Sequence, residues 1–420
     1  MQNNLAIIKN LMSQYERAFY IYDESIISKQ IATLSEKFLQ FEFLYSIKTN
    51  PYTPIINFIA SKKFGADAAS VEEVMLAHEA GLSYEKILYS SPGKTRNDIE
   101  KTLDKAIIIA DSYNELALIN DVAKQRELHI NIGLRINPDY IMDGGKGISS
   151  KFGVDEETLV KQRDFINNLT NIIIIGIHVH LSSQVLNHNL LYGYYEKIFK
   201  LALFCTETMG WKLEFINFGG GIGIVYSLLD DTPLNLKILS EECKELIRRF
   251  KSKIKTRLII ETGRFLVCEA GQYVTHIVDI KESRGTKYLI VENGLNGFLR
   301  PAIAELLTAY APQGSKLQGC EPLFTAKDAF EFTIIKEEKS FFEKVSIVGN
   351  LCTSADILAK DIMLPKAEVG DILVVSKAGS YSYTLTPLLF ASHPLPLQFY
   401  MNTNGDMYGG LCSNVAKTKK

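Results

Sequence analysis

The chain has 420 residues, of which 46% are hydrophobic and 22% charged, and a formal net charge of −2 at pH 7. That balance is that of an ordinary globular protein, and it gives no electrostatic reason to expect nucleic acid or an anionic membrane as a partner. Six cysteines, at 205, 243, 268, 320, 352 and 412, show no CxxC spacing and read as free thiols in a reducing compartment.

A chain of this length exceeds one ordinary core and predicts two domains, one of them large. Its start, MQNNLAIIKN, has neither the apolar core nor the cleavage site of a signal peptide. No apolar run approaches the roughly 20 residues of a membrane span, so the expected location is the cytoplasm. Residues 17–23, RAFYIYD, predict a strand, and 24–40 has the spacing of an amphipathic helix. Short apolar runs then follow at 42–47, 64–69, 86–90, 106–111, 129–136, 172–180, 214–218 and 257–261. Helical patterns such as 71–80 and 241–253 fall between most of them. Eight strands alternating with helices over roughly 240 residues predict a closed parallel (β/α)8 barrel, placed at residues 23–265. Beyond Cys268 the strand-like segments 272–280, 288–291, 330–335, 344–348, 372–376 and 398–402 follow one another with few helical patterns. They predict a mostly antiparallel β domain of residues 266–420, joined by residues 1–22, with the KTKK ending as a frayed tail.

In such barrels chemistry sits at the carboxyl ends of the strands, and unusual polar residues cluster there. Lys48 closes the aromatic run FLYSIK before Pro51. It is either a solvated strand end, as most lysines are, or an amine that holds a carbonyl cofactor as a Schiff base. Asp67 ends the second strand, with Glu73 six residues on, and Arg135 ends the fifth, either as an ion-pair residue or as a cofactor support. His178 and His180 end the sixth. His180 reads as a satisfied interior histidine or as an imidazole stacked on a cofactor ring. The seventh strand runs into Gly219-Gly220-Gly221, which is either a tight turn or a cradle of bare N–H groups for phosphate, with Ser183 and Arg264 able to add donors. Glu261 ends the apolar run LIIE, and a buried carboxylate needs a partner. Arg264 is one candidate, and the protonated ring nitrogen of pyridoxal phosphate is the other. In the second domain Cys352, followed by Thr353, Ser354 and Asp356, is a small buried residue or an exposed thiol acting as general acid, and AGSYSY around Tyr381 is an unusual loop.

Together these residues resemble the fold-type III pyridoxal-phosphate decarboxylases, the group of diaminopimelate, ornithine and arginine decarboxylases. The similarity runs over nearly the whole chain through YIYD, YSIKTN, DAASVEE, SSPGKT, LRINPD, SKFGV, GIHVHLSSQ, NFGGGIG, ETGR, CTSADILAKD and GSY, in that order. It implies an alanine-racemase-like TIM-type barrel with a C-terminal β domain, pyridoxal 5'-phosphate as cofactor, no metal, and a homodimer with shared active sites. It implies Lys48 as the Schiff-base lysine, with Asp67 and Glu73 beneath it and Arg135 in support. His180 matches the ring-stacking imidazole and Glu261 the carboxylate at the ring nitrogen. Ser183, Gly219, Gly220, Gly221, Arg264 and Tyr381 match phosphate contacts. Cys352 matches the residue that crosses to the partner's active site and handles the proton. The implied reaction is decarboxylation of an amino acid or amino-acid conjugate through a Lys48 Schiff base and a quinonoid intermediate.

The departures bear on the substrate. Diaminopimelate decarboxylases have glutamate after the cysteine and ornithine-type enzymes aspartate, whereas this chain has Thr353. LRPAIAELLTAY places Arg300 at the distal-carboxylate arginine, but Ala304 stands where tyrosine is expected, Ser182 replaces the usual glycine, and ETGR replaces EPGR. Arg300, Thr353 and Asp356 are the expected substrate contacts. Thr353 and the ending LTPLLFASHPLPLQF look more like the specialised branch that decarboxylates carrier-protein-linked or conjugated amino acids in antibiotic and siderophore pathways. The alternatives are a diaminopimelate decarboxylase of lysine biosynthesis, a racemase on the same barrel, and a non-catalytic homologue that binds a protein. Glu261 counts against the racemase, which keeps a positive residue at the ring nitrogen, and Lys48 and Cys352 count against the decoy. A one-domain pyridoxal-phosphate carrier protein leaves the residues after Cys268 unexplained.

Overall fold

A computed structural model describes residues 2–226, 232–310, 328–336 and 341–410; Cys320, Cys412 and the KTKK ending lie outside them. The chain forms two compact units, one of Gln30–Ile224 and Pro233–Gly263, the other of Met1–Lys29, Val225–Thr232 and Arg264–Lys420.

The first unit is the barrel. Its strands are Phe41–Ser46, Gly65–Ala68, Ile87–Ser90, Ile107–Ala110, Ile130–Asn137, Ile172–His178, Phe215–Asn217 and Arg257–Thr262. Each pairs in parallel with the next, and the last pairs with the first, so the sheet closes. All eight expected strands are present. A two-residue strand, Val154–Asp155, adds to the outside of Ile130–Asn137.

Short runs of isoleucine, leucine and phenylalanine form these strands because branched and aromatic side chains pack well on a pleated surface buried on both faces. Leu44, Leu88, Ile107, Ile109, Ile175, Phe215 and Ile259 make one such packed cluster. Phe215 sets a hard constraint within it. A Cβ built on Gly176 would lie 2.2 Å from the Phe215 ring, and one on Gly133 would lie 3.0 Å from it. These two glycines are therefore the space the phenylalanine occupies.

At the amino-terminal rim Glu42 joins three strands. It accepts from Arg257 Nε at 2.8 Å and Nη2 at 3.0 Å, and from Lys86 Nζ at 2.6 Å. These bonds, chiefly that from Arg257, hold its carboxyl down at about 2.

The second unit is built on a nine-stranded sheet. Phe19–Asp23 lies in its middle, antiparallel to Gly271–Ser283 and parallel to Leu397–Met401. Thr286–Val291 and Phe342–Gly349 are the other parallel pair, and the remaining pairings are antiparallel. The longer elements that go beyond the sequence reading are helix Gln2–Tyr15, helix Leu299–Tyr310, strand Ile357–Pro365 and strand Met407–Gly410. The first carries its signal openly, because Ile8, Leu11 and Met12 share one face and pack on Phe19, Ile21 and Phe399. No helix among the described residues is long and apolar enough to cross a membrane.

Gly176→Ala should lower the stability of the barrel by about 1–3 kcal/mol through overpacking against Phe215. In chemical denaturation, a second substitution, Phe215→Leu, should recover part of that loss. Additive losses in the double variant would contradict the packing account.

Candidate active site

The first barrel strand cannot run on past Ser46 because Pro51 follows closely, and Ile47–Thr49 winds into a single 3-10 turn. That turn packs against a bare glycine, since a Cβ on Gly263 would fall 2.0 Å from Thr49 Oγ1. Lys48 leaves the turn with its side chain 45% exposed, and its Nζ donates to Asp67 Oδ2 at 3.0 Å. Ser90 Oγ donates to the other oxygen of Asp67 at 2.6 Å. Burial alone would raise the Asp67 carboxyl, but the Lys48 charge and the hydrogen bonds from Ser90, Lys48 and Ser46 hold it below the usual range. The amine is thus fixed by a buried anion while remaining open at the barrel mouth.

Glu73 serves the same strand end through the backbone. Its Oε2 accepts from Ala69 N at 2.7 Å, and its own N–H donates to the N-cap Ser70 Oγ at 3.2 Å. Burial first, and then the Asp67 charge, push its carboxyl up to about 7.

Arg135 lies 3.6 Å from Asp111 Oδ1, and its guanidinium stacks on Phe152 at 4.3 Å. Asp111 Oδ2 accepts from Gly153 N at 3.0 Å, and Asp111 N donates to Glu115 Oε2 at 2.9 Å. Glu115 meets Lys94, whose wholly buried amine also donates to the carbonyls of Ser91 and Ile109 at 2.5 and 2.7 Å. Lys94 and Glu115 were missed by sequence reasoning. Lys94 stands in SSPGKT, but nothing in its local pattern shows that its amine would be buried.

His178 and His180 flank Val179 at the end of the sixth strand. His180 Nδ1 accepts from Gly220 N at 3.0 Å, which leaves Nε2 as the protonated nitrogen of a neutral ring. Burial, followed by the charges of Arg135 and Lys48, pulls His180 down to about 3, so the ring stays neutral through the physiological range. Gly219 N donates to Asn217 Oδ1 at 2.9 Å. Of the two readings of this turn, the bare cradle loses the N–H groups of Gly219 and Gly220, which are bonded to Asn217 and His180. Gly219 itself has φ +67°, and a Cβ there would meet Val179 O at 2.5 Å. Half-buried Ser183 lies in the next loop, which is tied to the Gly221 loop by the bridge from Val185 to Ile222.

Glu261 is 4% exposed. Asn217 Nδ2 donates to its Oε1 at 2.8 Å, and His178 Nε2 lies 3.2 Å from the same oxygen. Burial, then the Asp67 charge, push its carboxyl up to about 7, with Lys48 opposing them. Such a carboxylate is short of positive charge, as the partner of a protonated ring nitrogen would be. An accessible amine, a charge-hungry buried acid and a neutral imidazole face at one barrel mouth fit pyridoxal phosphate.

In the second unit, the Arg264 guanidinium lies 5.8 Å from the Tyr226 ring and 5.3 Å from that of Tyr381, whose φ is +51°. Tyr226, which the sequence reading did not single out, also carries the Arg300 guanidinium at 4.9 Å. Arg300, an expected substrate contact, donates to Ser380 O at 3.2 Å and is fully buried in this chain. Asp356, another of the expected substrate contacts, is buried as well. Its two oxygens accept from Leu295 N at 2.5 Å and Leu351 N at 2.9 Å, so it ties down the turn that presents Cys352. Cys352 is exposed on that turn and Thr353 is half-buried.

Comparison with known proteins gives the family and the fold. Residues 24–268 match the family model for the pyridoxal-binding domain of pyridoxal-dependent decarboxylases. The chain is 29% identical to the L-glutamyl-[BtrI acyl-carrier protein] decarboxylase of Niallia circulans over 96% of this chain and 93% of that one. It is 30% identical to the diaminopimelate decarboxylase of Methanocaldococcus jannaschii, covering 82% of this chain and 76% of the relative. A crystal structure of the M. jannaschii enzyme superposes with a TM-score of 0.82 at 25% identity, over 95% of this chain and 90% of that one.

The raised carboxyls predict a pH dependence for the unliganded protein. Glu73 and Glu261 move from 4.5 to about 7, so each binds its proton more tightly in the folded state. Their contribution is therefore fully present below pH 4.5 and is lost as the pH rises through 7. In denaturant melts across that window, Glu261→Gln should flatten the fall in stability. An unchanged slope would contradict the burial argument.

Proposed function

The chain belongs to the pyridoxal-dependent decarboxylase family, and from that premise we propose that it decarboxylates an amino acid presented as a conjugate, first of all one linked to a carrier protein. It is a pyridoxal-phosphate-dependent carboxy-lyase; the proposal concerns its substrate and the work of individual residues. The observation that carries the substrate reading is Thr353 beside Cys352 on the exposed turn. No carboxylate follows the thiol to hold a free distal ammonium, and the carrier-protein decarboxylase of N. circulans resembles this chain over nearly its full length. Arg300 within LRPA favours a second reading, diaminopimelate decarboxylation, but its burial under Tyr226 weakens that reading.

Bound pyridoxal phosphate supplies an electron sink for the pair left behind when the bond to the carboxyl carbon breaks. Lys48 is the covalent anchor of the cofactor. Asp67 holds that amine in place while it is unmodified, and the Lys48 charge, with the hydrogen bond from Ser90, keeps Asp67 below the usual carboxylate range. Glu261 would hold the ring nitrogen and gain there the positive partner that its burial demands. His180, held through Nδ1 by Gly220, offers a flat neutral face to the ring. Gly219 and Gly220 act through Asn217 and His180, and Arg135, tethered by Asp111 and Phe152, supports the mouth. Ser183, Gly221, Arg264 and Tyr381 are assigned to the phosphate on their motifs alone. Cys352 is the proton donor to Cα, reaching the active site of a partner subunit in a homodimer.

Carbon dioxide release, measured over diaminopimelate, ornithine, lysine, glutamate and carrier-linked or otherwise conjugated amino acids, tests the substrate. Turnover should be greatest on a conjugate, and a clear preference for free diaminopimelate would overturn the proposal. The shared site has its own test. Lys48→Ala and Cys352→Ala chains, each inactive alone, should regain about a quarter of wild-type activity when co-expressed, because half the dimers then hold one intact site of two. No recovery in a sample shown to contain mixed dimers would exclude a site completed by the partner.

A further inference from the structure

His178 ends the sixth barrel strand, in register with Arg135 on one side and Asn217 on the other. It is 1% exposed, and neither ring nitrogen completes a hydrogen bond among the described residues. A buried imidazole left in that state is destabilising and calls for an explanation. Its Nε2 lies 3.2 Å from Glu261 Oε1, the oxygen that already accepts from Asn217 Nδ2 at 2.8 Å. The contact is short enough for a hydrogen bond, and only its alignment is lacking.

We propose that His178 is a positioning residue whose Nε2–H closes onto Glu261 Oε1. With Asn217 it holds that oxygen, keeps the carboxylate ionised and leaves Oε2 for the cofactor's ring nitrogen. The proposal rests on the assignment of Glu261 to that nitrogen.

The charges around the pair decide which form of His178 acts. Burial, and then Arg135, His180, Lys48 and Lys94, drive the proton off the imidazolium, so the ring is neutral with one N–H. Glu261 meets Asp67, Lys48, Asn217 and Arg135, and Tyr194 also feels its charge. Within that field a neutral donor is the form of His178 that favours an ionised Glu261. The Nδ1–H form would set a lone pair on Nε2 against the carboxylate. No residue of the sequence motif needs to change for this role, since His178 is the first histidine of GIHVHLSSQ.

The test separates donor from filler. Gln places an amide N–H near the position of Nε2, whereas Phe fills the space without a donor. In the cofactor-free protein, the carboxyl infrared band of Glu261, identified by its loss in Glu261→Gln, should titrate near 7 in the wild type. It should move up by about one pH unit in His178→Phe and stay near the wild-type midpoint in His178→Gln. With 15N-labelled cofactor bound, the ring-nitrogen signal should shift towards the unprotonated form in His178→Phe and not in His178→Gln. An unmoved Glu261 midpoint in His178→Phe would overturn the proposal. So would a Gln variant that melts like wild type yet titrates like Phe. A ring-nitrogen signal indifferent to Glu261→Gln would instead overturn the Glu261 assignment, and the cofactor-free titration would still report on the His178 contact.

Discussion

The barrel mouth is organised by an imbalance of charge. Asp67 and Glu261 are both buried at the ends of parallel strands, and their charges raise one another's cost. Lys48 stabilises Asp67 directly, at 3.0 Å, and Glu261 only at longer range. One carboxyl is therefore held down and the other held up, although both are aspartic or glutamic side chains on the same sheet. That separation lets one anion place an amine while the other is left short of positive charge.

The barrel beneath is what keeps these groups apart by fixed distances. Phe215 fills the space left by Gly133 and Gly176, and Glu42 ties three strands at the opposite rim. Above, bare backbone is used for fit more than for phosphate: Gly263 admits the Lys48 turn, and Gly219 admits His180. The Lys94–Glu115–Asp111 chain of contacts does similar work around Arg135, connecting three strand ends to the Phe152 loop. Wholly buried ionic contacts of this kind contribute little net stability but fix geometry, because breaking one leaves an unpaired charge in a dry interior.

Much of this was legible in the sequence because barrel strands are short, apolar and regularly spaced, and because their ends carry the polar residues. Lys48, Asp67, His180 and Glu261 were singled out by position alone, and they do come together. The N-terminal helix is missed although Ile8, Leu11 and Met12 spell out its face, because residues 1–22 are read as joining a β domain. Other misses were not local. Asp356 looks like an exposed turn residue until Leu295, distant in sequence, supplies its hydrogen bond. The stacking of Arg300 on Tyr226 and Phe330 is equally invisible in LRPA. Lys94 and Tyr226 owe their roles wholly to long-range contacts, and no pattern of neighbours announces them.

The account depends most on Lys48 as the anchor of pyridoxal phosphate. Borohydride reduction of the cofactor-loaded protein, followed by proteolysis and mass spectrometry, fixes the cofactor to whichever lysine holds it. The account predicts the phosphopyridoxyl mark on the peptide containing Lys48 and on no other lysine. A mark carried by a different lysine, or a loaded protein that reduces without any marked peptide, would contradict it.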